Sequence, residues 1–327
     1  MHRRHFLQAL TAAPWLAATA GQAAAQSAGD YPSKFIRLLI PYAAGGTADI
    51  SCRIVAPYLS ERLGQSIVIE NKPGAGGIVG ALAALSAPAD GYTFVLAATG
   101  NFGISPVLMR SMPFDAVKNF DMVAQMASFG YAFAVAANSP FKRIRDVIDY
   151  ARANPGKVNV GTVQVGSAQF FAAELFKSMA GISVVIVPYR TSSDVVTAAV
   201  SGMVDLIVET LAPVIPQASA GALRVLGITE DAPFPALPQA PPIKTDVPGY
   251  VVKAWNGLAA RAGTPPAIAQ RWTRELSAVL ALEDVKRRFI DLGITAEFAD
   301  GQTLRALQVA DIDKWRAVME EAHIEKQ

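Results

Sequence analysis

Gly45-Gly46-Thr47 stands just ahead of Ile50, Ile54, Val55, Leu59 and Leu63, apolar residues at helical spacing. A helix opened by glycines leaves first-turn N–H groups unpaired, and its dipole makes that end favourable to an anion such as a carboxylate or phosphate. Asp49 can bond back to first-turn N–H groups, a cap that also fixes the loop. For one such loop alone, an ordinary turn with its cap is the better account. A second loop of the same kind, Pro73-Gly-Ala-Gly-Gly77, follows the next strand, and the two together favour a binding crevice. Further on, Gly166-Ser167 precedes another helix, where Ser167 can cap while its N–H and hydroxyl face the crevice. Arg190, just past a strand ending at Val187, is either a bidentate partner for a carboxylate or a surface arginine.

Other chemistries are poorly supplied. The histidines are His2, His5 and His323, and the one cysteine is Cys52. A Ser-His-Asp or Cys-His arrangement needs a histidine beside the nucleophile, and zinc sites draw mostly on His and Cys clusters, so neither is expected. Cys52 lies among apolar residues of the first helix and reads as a buried, inert thiol. Gly74-Ala-Gly76 matches the start of G-x-G-x-x-G, but Val79 stands where the third glycine belongs. No G-x-x-x-x-G-K-[ST] run occurs, which excludes a P-loop nucleotidase. No metal or organic cofactor is expected. Asp49, Glu70, Asp205 and Glu209 leave open an exported hydrolase working with two carboxylates.

These loops need elements to hold them. At the start of the chain, His2, Arg3 and Arg4 precede an apolar run from Phe6 to Ala20 and the small residues Ala23-Ala24-Ala25. That is the pattern of a secretory signal peptide over residues 1–25, twin-arginine-like or general secretory, and it places the mature chain in the periplasm. Lys and Arg total 29 against 27 for Asp and Glu, and without Arg3 and Arg4 the balance is neutral. A neutral chain with no basic stripe lacks the electrostatic footprint for nucleic acid. The 327 residues, 52% hydrophobic and 17% charged, suit about two globular domains.

Strand, glycine loop and helix then alternate. Phe35 to Ile40, Ser66 to Glu70 and Thr93 to Ala97 read as strands, with a helix at Ile50 to Leu63 that Pro57 should kink and another at Ile78 to Leu85. The second half repeats the rhythm with strands at Lys157 to Gly161, Ser183 to Val187, Asp205 to Glu209 and Leu223 to Ile228, and a helix at Ala168 to Met179. Pro233 to Pro248 reads as an extended connection, Trp255 to Ala260 as an apolar run with Trp255 and Tyr250 as core or hinge packing, and Pro265 to Leu280, Val285 to Leu292 and Leu304 to Glu321 as C-terminal helices. The expected fold is α/β and two-lobed, each lobe a mostly parallel sheet flanked by helices, with the crevice beyond the strand ends.

In this order, Pro41-Tyr-Ala-Ala-Gly-Gly-Thr-Ala-Asp49, Glu70-Asn-Lys-Pro-Gly-Ala-Gly-Gly77, Asp90-Gly-Tyr-Thr93, Gly166-Ser167 with Glu174-Leu-Phe176, Val187-Pro-Tyr189 and Gly202-Met-Val-Asp205 resemble the Bug-type (Bordetella uptake gene) receptors of tripartite tricarboxylate transporters. The resemblance runs from about residue 31 to the C-terminal helix. It implies a periplasmic binding protein of the type II kind, a monomer that closes on a small carboxylate and delivers it to membrane permease subunits. Lobe 1 would comprise residues 31–128 plus 254–327, and lobe 2 residues 129–253. Tyr42, Gly46, Thr47 and Asp49, with Ala75, Gly76 and Gly77, would form the fixed anion end. Thr99, Asn101, Thr162, Gln164, Gly166 and Ser167 would complete the cleft, with Glu209 and Thr210 at a strand end beside it. The departures cluster on the selective side: Phe170 stands where the family often has His, Thr191-Ser-Ser-Asp194 replaces a Gly/Pro loop, and Ala198 replaces a common acid. Phe170 then signals either an aromatic or longer apolar carboxylate or simple helix packing.

Overall fold

The computed structural model describes residues 31–327, so the leader at 1–25 lies outside the described residues. The first third runs β1 (Ile36–Ile40), α1 (Thr47–Leu63), β2 (Ile67–Asn71), α2 (Ile78–Leu85), β3 (Thr93–Ala98) and α3 (Ser105–Leu108), with a tight turn at Ala75–Gly77 and a wide helical turn at Thr99–Ile104. Next come β4 (Phe120–Phe129), β5 (Tyr131–Ala136), α4 (Ile144–Ala153), β6 (Asn159–Val163), α5 (Ala168–Ala180), β7 (Val185–Tyr189) and α6 (Ser192–Val200). The chain finishes with β8 (Leu206–Thr210), α7 (Leu211–Ser219), β9 (Leu223–Ile228), β10 (Ala254–Arg261), α8 (Pro266–Leu280), α9 (Glu283–Asp291), β11 (Thr295–Asp300) and α10 (Gly301–Glu321). α1 continues through Pro57 as one element. No helix among the described residues is long and apolar enough to cross a membrane.

The strands form two sheets, one ordered β11-β4-β10-β3-β1-β2 and the other β7-β6-β8-β5-β9. β1 runs parallel to β2 and β3, and β6 parallel to β7 and β8. β10 is antiparallel to β3 and β4, β11 to β4, and β5 to β8 and β9. The sheets are therefore mixed rather than mostly parallel. Helical crossovers keep strands parallel only while the chain winds within one sheet; β4, β5, β9 and β10 carry it from one sheet to the other and pair without such a crossover. The α/β, two-lobed class stands, each lobe centred on one sheet and flanked by helices.

The two passages between sheets are tied together. Gly130 separates β4 from β5; its N–H donates to Glu230 Oε1 (3.0 Å), and a Cβ there would meet Glu230 Cγ at 2.5 Å. Tyr131 N–H donates to Thr229 Oγ1 (2.8 Å), and Thr229 N–H donates back to Tyr131 O (2.9 Å). The Thr229 hydroxyl donates to Val252 O (2.5 Å), whose own N–H returns to Thr229 O (3.0 Å). One fully buried threonine thus clasps the outgoing strand to the returning segment.

Elsewhere the lobes meet through close apolar contact. Phe171 of α5 lies edge-on to Trp315 of α10, with centroids 5.6 Å apart. Gly166 sits so near Leu108 that a Cβ would approach its Cδ2 at 2.5 Å. Replacing Thr229 by Val keeps shape but strands a buried N–H and a buried carbonyl, each worth roughly 1–3 kcal/mol. Urea denaturation should show Thr229→Val destabilised by about 2–4 kcal/mol; a loss below measurement error would show that the clasp carries no load.

Candidate ligand-binding site

The first glycine loop is built around a buried acid. Asp49 Oδ2 accepts from the Gly45 N–H (2.9 Å) and from Arg53 Nε (2.9 Å), while Oδ1 accepts from Asn71 Nδ2 (2.9 Å). Asn71 Nδ2 also donates to Tyr42 O (3.1 Å), and Arg53 Nη2 donates to Asn71 Oδ1 (3.0 Å). The network pins the loop after β1 to the end of β2. Desolvation pushes the Asp49 carboxyl up, but Arg53, the Gly45 N–H and Asn71 together outweigh it and hold the group below the usual carboxylate range. Gly46, the N-cap of α1, has no side chain to spend on the first-turn N–H groups. Those donors stay available where Thr47 and Ala48 face open space.

The second loop closes on the first. Gly77, at φ +95°, lies so close to the wide turn after β3 that a Cβ would meet Asn101 Cβ at 2.6 Å. Asn101 is spent inside the wall: Oδ1 accepts from the Ala98 N–H (2.8 Å) and the Tyr42 hydroxyl (3.2 Å), and Nδ2 donates to Leu96 O (3.1 Å). Burial pushes the Tyr42 phenol well above its ordinary value, so it remains a neutral donor.

In the other sheet, β6 runs into a loop that ends at Ser167, the N-cap of α5. Its Oγ accepts from the Phe170 N–H (3.1 Å) and its hydroxyl donates to Val163 O (3.1 Å). Thr99 Oγ1 accepts from the Trp255 N–H (2.9 Å), and Trp255 Nε1 donates to Asp311 Oδ2 (2.7 Å). Burial pushes the Asp311 carboxyl up, partly offset by the Trp255 bond.

Between these walls lies a cavity of about 500 Å³ lined from both sheets. Of the residues singled out from the sequence, Tyr42, Gly46, Thr47, Ala75, Gly76 and Thr99 line it from the first sheet. Gln164, Gly166, Ser167 and Thr210 line it from the second. Asp49, Gly77 and Asn101 stand behind its wall and shape it through the contacts above. Thr162 is fully buried, its hydroxyl turned to Val163 O (3.0 Å). Phe170 packs against Phe171, with centroids 6.0 Å apart, so its side chain serves helix packing. Arg190 is exposed and does not reach the cavity. Glu209 is wholly buried behind Gln169 and Thr210, accepting from both.

Pattern reading misses Ser105, Phe129, Tyr131, Gln169, Ser192 and Asn256, which also line the cavity, and it assigns Trp255 to packing alone. Trp255 is both packed and part of the wall. The signal that could have found Gln169 and Ser192 is their place in the first turns of α5 and α6, beside Ser167 and Thr191. No charged side chain among the described residues lines the cavity. What its side chains and backbone offer is N–H groups, hydroxyls and amides. A second, more open groove bordered by Met122, Pro266, Thr273 and Phe298 belongs to one lobe only.

This is the fold of periplasmic binding proteins. Residues 51–324 match the family model for the tripartite tricarboxylate transporter family receptor, TctC, and the chain belongs to that family. Its members are solute-binding receptors, not enzymes, which sets aside the hydrolase. The chain is 29% identical to protein BugT of Bordetella pertussis over 308 residues, covering 93% of this chain and 94% of BugT. Among solved structures it resembles R. palustris Rpa4515 with adipate (31% identity, TM-score 0.82, 90% of this chain and 99% of that one). It also resembles MatC (Rpa3494) from Rhodopseudomonas palustris with bound malate (26% identity, TM-score 0.76, 88% and 99%).

Asp49→Asn tests whether the loop network matters to binding through a residue that does not line the cavity. A carboxylate bound by the wild type should bind at least tenfold more weakly, with far-UV circular dichroism unchanged. Because the folded-state pKa is depressed, the stabilisation from Asp49 is complete above its unfolded value near 3.9 and is lost as pH falls through the folded value. The stability gap between wild type and variant should therefore be constant from about pH 8 to 5 and close below about pH 4. A gap that widens on acidification would contradict the network.

Proposed function

We propose that this protein is an extracytoplasmic solute receptor that binds a small carboxylate between its lobes and delivers it to the permease subunits of a tripartite tricarboxylate transporter. The observation that carries this reading is the cavity, lined by no charged side chain among the described residues, onto which the first turns of α1 and α5 open from opposite sheets. Two helix N-termini facing one space favour an anionic group without a counter-charge. The adipate in Rpa4515 and the malate in MatC support a carboxylate as that group.

Binding and release follow from the two passages between sheets. Lobe 1, residues 31–128 plus 254–327, and lobe 2, residues 129–253, would rotate about the Gly130 and Thr229 clasp. Ligand contacts made by both lobes at once favour the closed arrangement. The closed pair of lobes then offers the permease a joined surface. The leader at residues 1–25 supports export to the periplasm, by either secretory route.

Thermal unfolding of the mature protein against mono-, di- and tricarboxylates, aliphatic and aromatic, tests the reading. A ligand at a hundred times its Kd adds about 2.7 kcal/mol, a rise of several degrees for a chain of this length. Gly46→Val should abolish that rise: a Cβ at Gly46 meets only Ala43 O at 3.8 Å, so the fold accepts it while the side chain enters the anion end. A full response in a folded Gly46→Val protein would move the site elsewhere, and silence across the panel would overturn the carboxylate reading.

A further inference from the structure

Where α5, α6 and α7 begin beside the cavity, the protein has already placed an acid of its own. Glu209 ends β8 and is fully buried, and around it converge the starts of three helices. Gln169 in the first turn of α5 donates Nε2–H to Glu209 Oε1 (2.9 Å). Thr210, the N-cap of α7, donates both its N–H (2.7 Å) and its hydroxyl (3.0 Å) to the same oxygen. Ser192, first residue of α6, has its hydroxyl close enough to favour the charged carboxylate without reaching hydrogen-bond geometry. Gln169, Ser192 and Thr210 all line the cavity, so the carboxylate stands one side chain behind the wall.

Two consequences follow from donor and acceptor counting. Converging helix N-termini are where a ligand's second carboxylate would be expected to sit, yet here Glu209 takes that position. It also draws on the donors of its neighbours: the Thr210 hydroxyl proton and one Gln169 N–H point at Oε1, leaving the Thr210 lone pairs and the Gln169 carbonyl as acceptors beside the second Gln169 N–H and the Ser192 hydroxyl. Meanwhile Glu209 Oε2 has no hydrogen-bond partner in the buried wall. Sealed from the cavity, that oxygen leaves the carboxylate incompletely neutralised, so its charge acts through the wall.

Resting on the carboxylate-receptor reading, we propose that the ligand is a carboxylate whose far end carries a hydrogen-bond donor, an ammonium or a primary amide, rather than a second carboxylate. That donor meets the Gln169 carbonyl and the Thr210 lone pairs beside Glu209, while a second carboxylate meets like charge. Glu209 is a specificity-determining residue acting through Gln169, Ser192 and Thr210. Burial pushes its carboxyl up and the bonds from Gln169 and Thr210 oppose this.

The test is isothermal titration of the mature wild type with matched probes at chain lengths of four to six carbons, ending in methyl, carboxylate, primary amide or ammonium. For the six-carbon set these are hexanoate, adipate, adipamate and 6-aminohexanoate. The amide or ammonium probe should bind at least tenfold more tightly than the diacid and monoacid of its length; which of the two leads identifies a neutral or a cationic donor. Glu209→Gln should erase that preference, weakening the donor-ended probe at least tenfold while the diacid binds as well or better. A diacid that equals or beats the donor-ended probes in the wild type overturns this inference and leaves the carboxylate reading standing. Failure of every probe at every length overturns both. A folded Glu209→Gln protein with unchanged ranking removes Glu209 as the reader; if that variant does not fold, the wild-type ranking decides.

Discussion

The anion end of the cleft depends on how Asp49 is spent. A carboxylate one turn into a helix that opens on an anion site would normally repel the ligand or compete for the same N–H groups. Here its two oxygens are turned back into the loop and divided among the Gly45 N–H, Arg53 and Asn71. The negative charge is neutralised behind the loop, the loop is locked to β2, and the first-turn donors of α1 remain free. The glycines follow from the same constraint: Gly46 offers no capping side chain, and Gly77 lets the second loop lie against Asn101. The second wall, made by Asn101 and Tyr42, is held fixed because the amide and the phenol bond to each other and to the backbone.

The parts legible in the sequence were those set by short-range chemistry. Strand β9 and helix α2 match their pattern at both ends, and the glycine loops fall at the strand ends where they line the cavity, because apolar periodicity and turn residues act locally. What escaped was set at long range. β4, β5 and β10 are Ala-rich strands buried along most of their length, so no alternation marks them, and their antiparallel pairing arises from the passage between sheets. For the same reason Trp255 read only as packing: its place in the wall depends on Thr99 and Asp311, which are distant in sequence. Asp49 and Asn101 carried a correct signal of importance but not of position, since polar residues in a site loop serve equally as ligand contacts or as struts. Arg190 was the converse, a plausible partner by type that the strand's end leaves in solvent.

Closure and recognition share their parts. The clasp at Thr229 joins the two passages, and the lobe contacts at Gly166 with Leu108 and Phe171 with Trp315 flank the same cavity. Gly166 belongs to the loop that caps α5, so the residue that lets the lobes approach also lines the cavity beside that helix N-terminus. A cavity assembled this way is complete only when both lobes are in place, which couples binding to the arrangement a permease would read.

The two acids that border the cleft in sequence take opposite roles for one physical reason. Asp49 is surrounded by a guanidinium, a backbone N–H and an amide, enough donors to saturate both oxygens and hold it ionised. Glu209 is buried more deeply, has donors on one oxygen only, and has no cation bonded to it. Saturation makes the first a strut whose charge the ligand does not feel. Incomplete satisfaction leaves the second as a charge close behind the cavity wall, where a low dielectric carries its effect to whatever fills the cavity. The two ends thus differ in kind: donors kept free at one, and a buried acid behind the wall at the other.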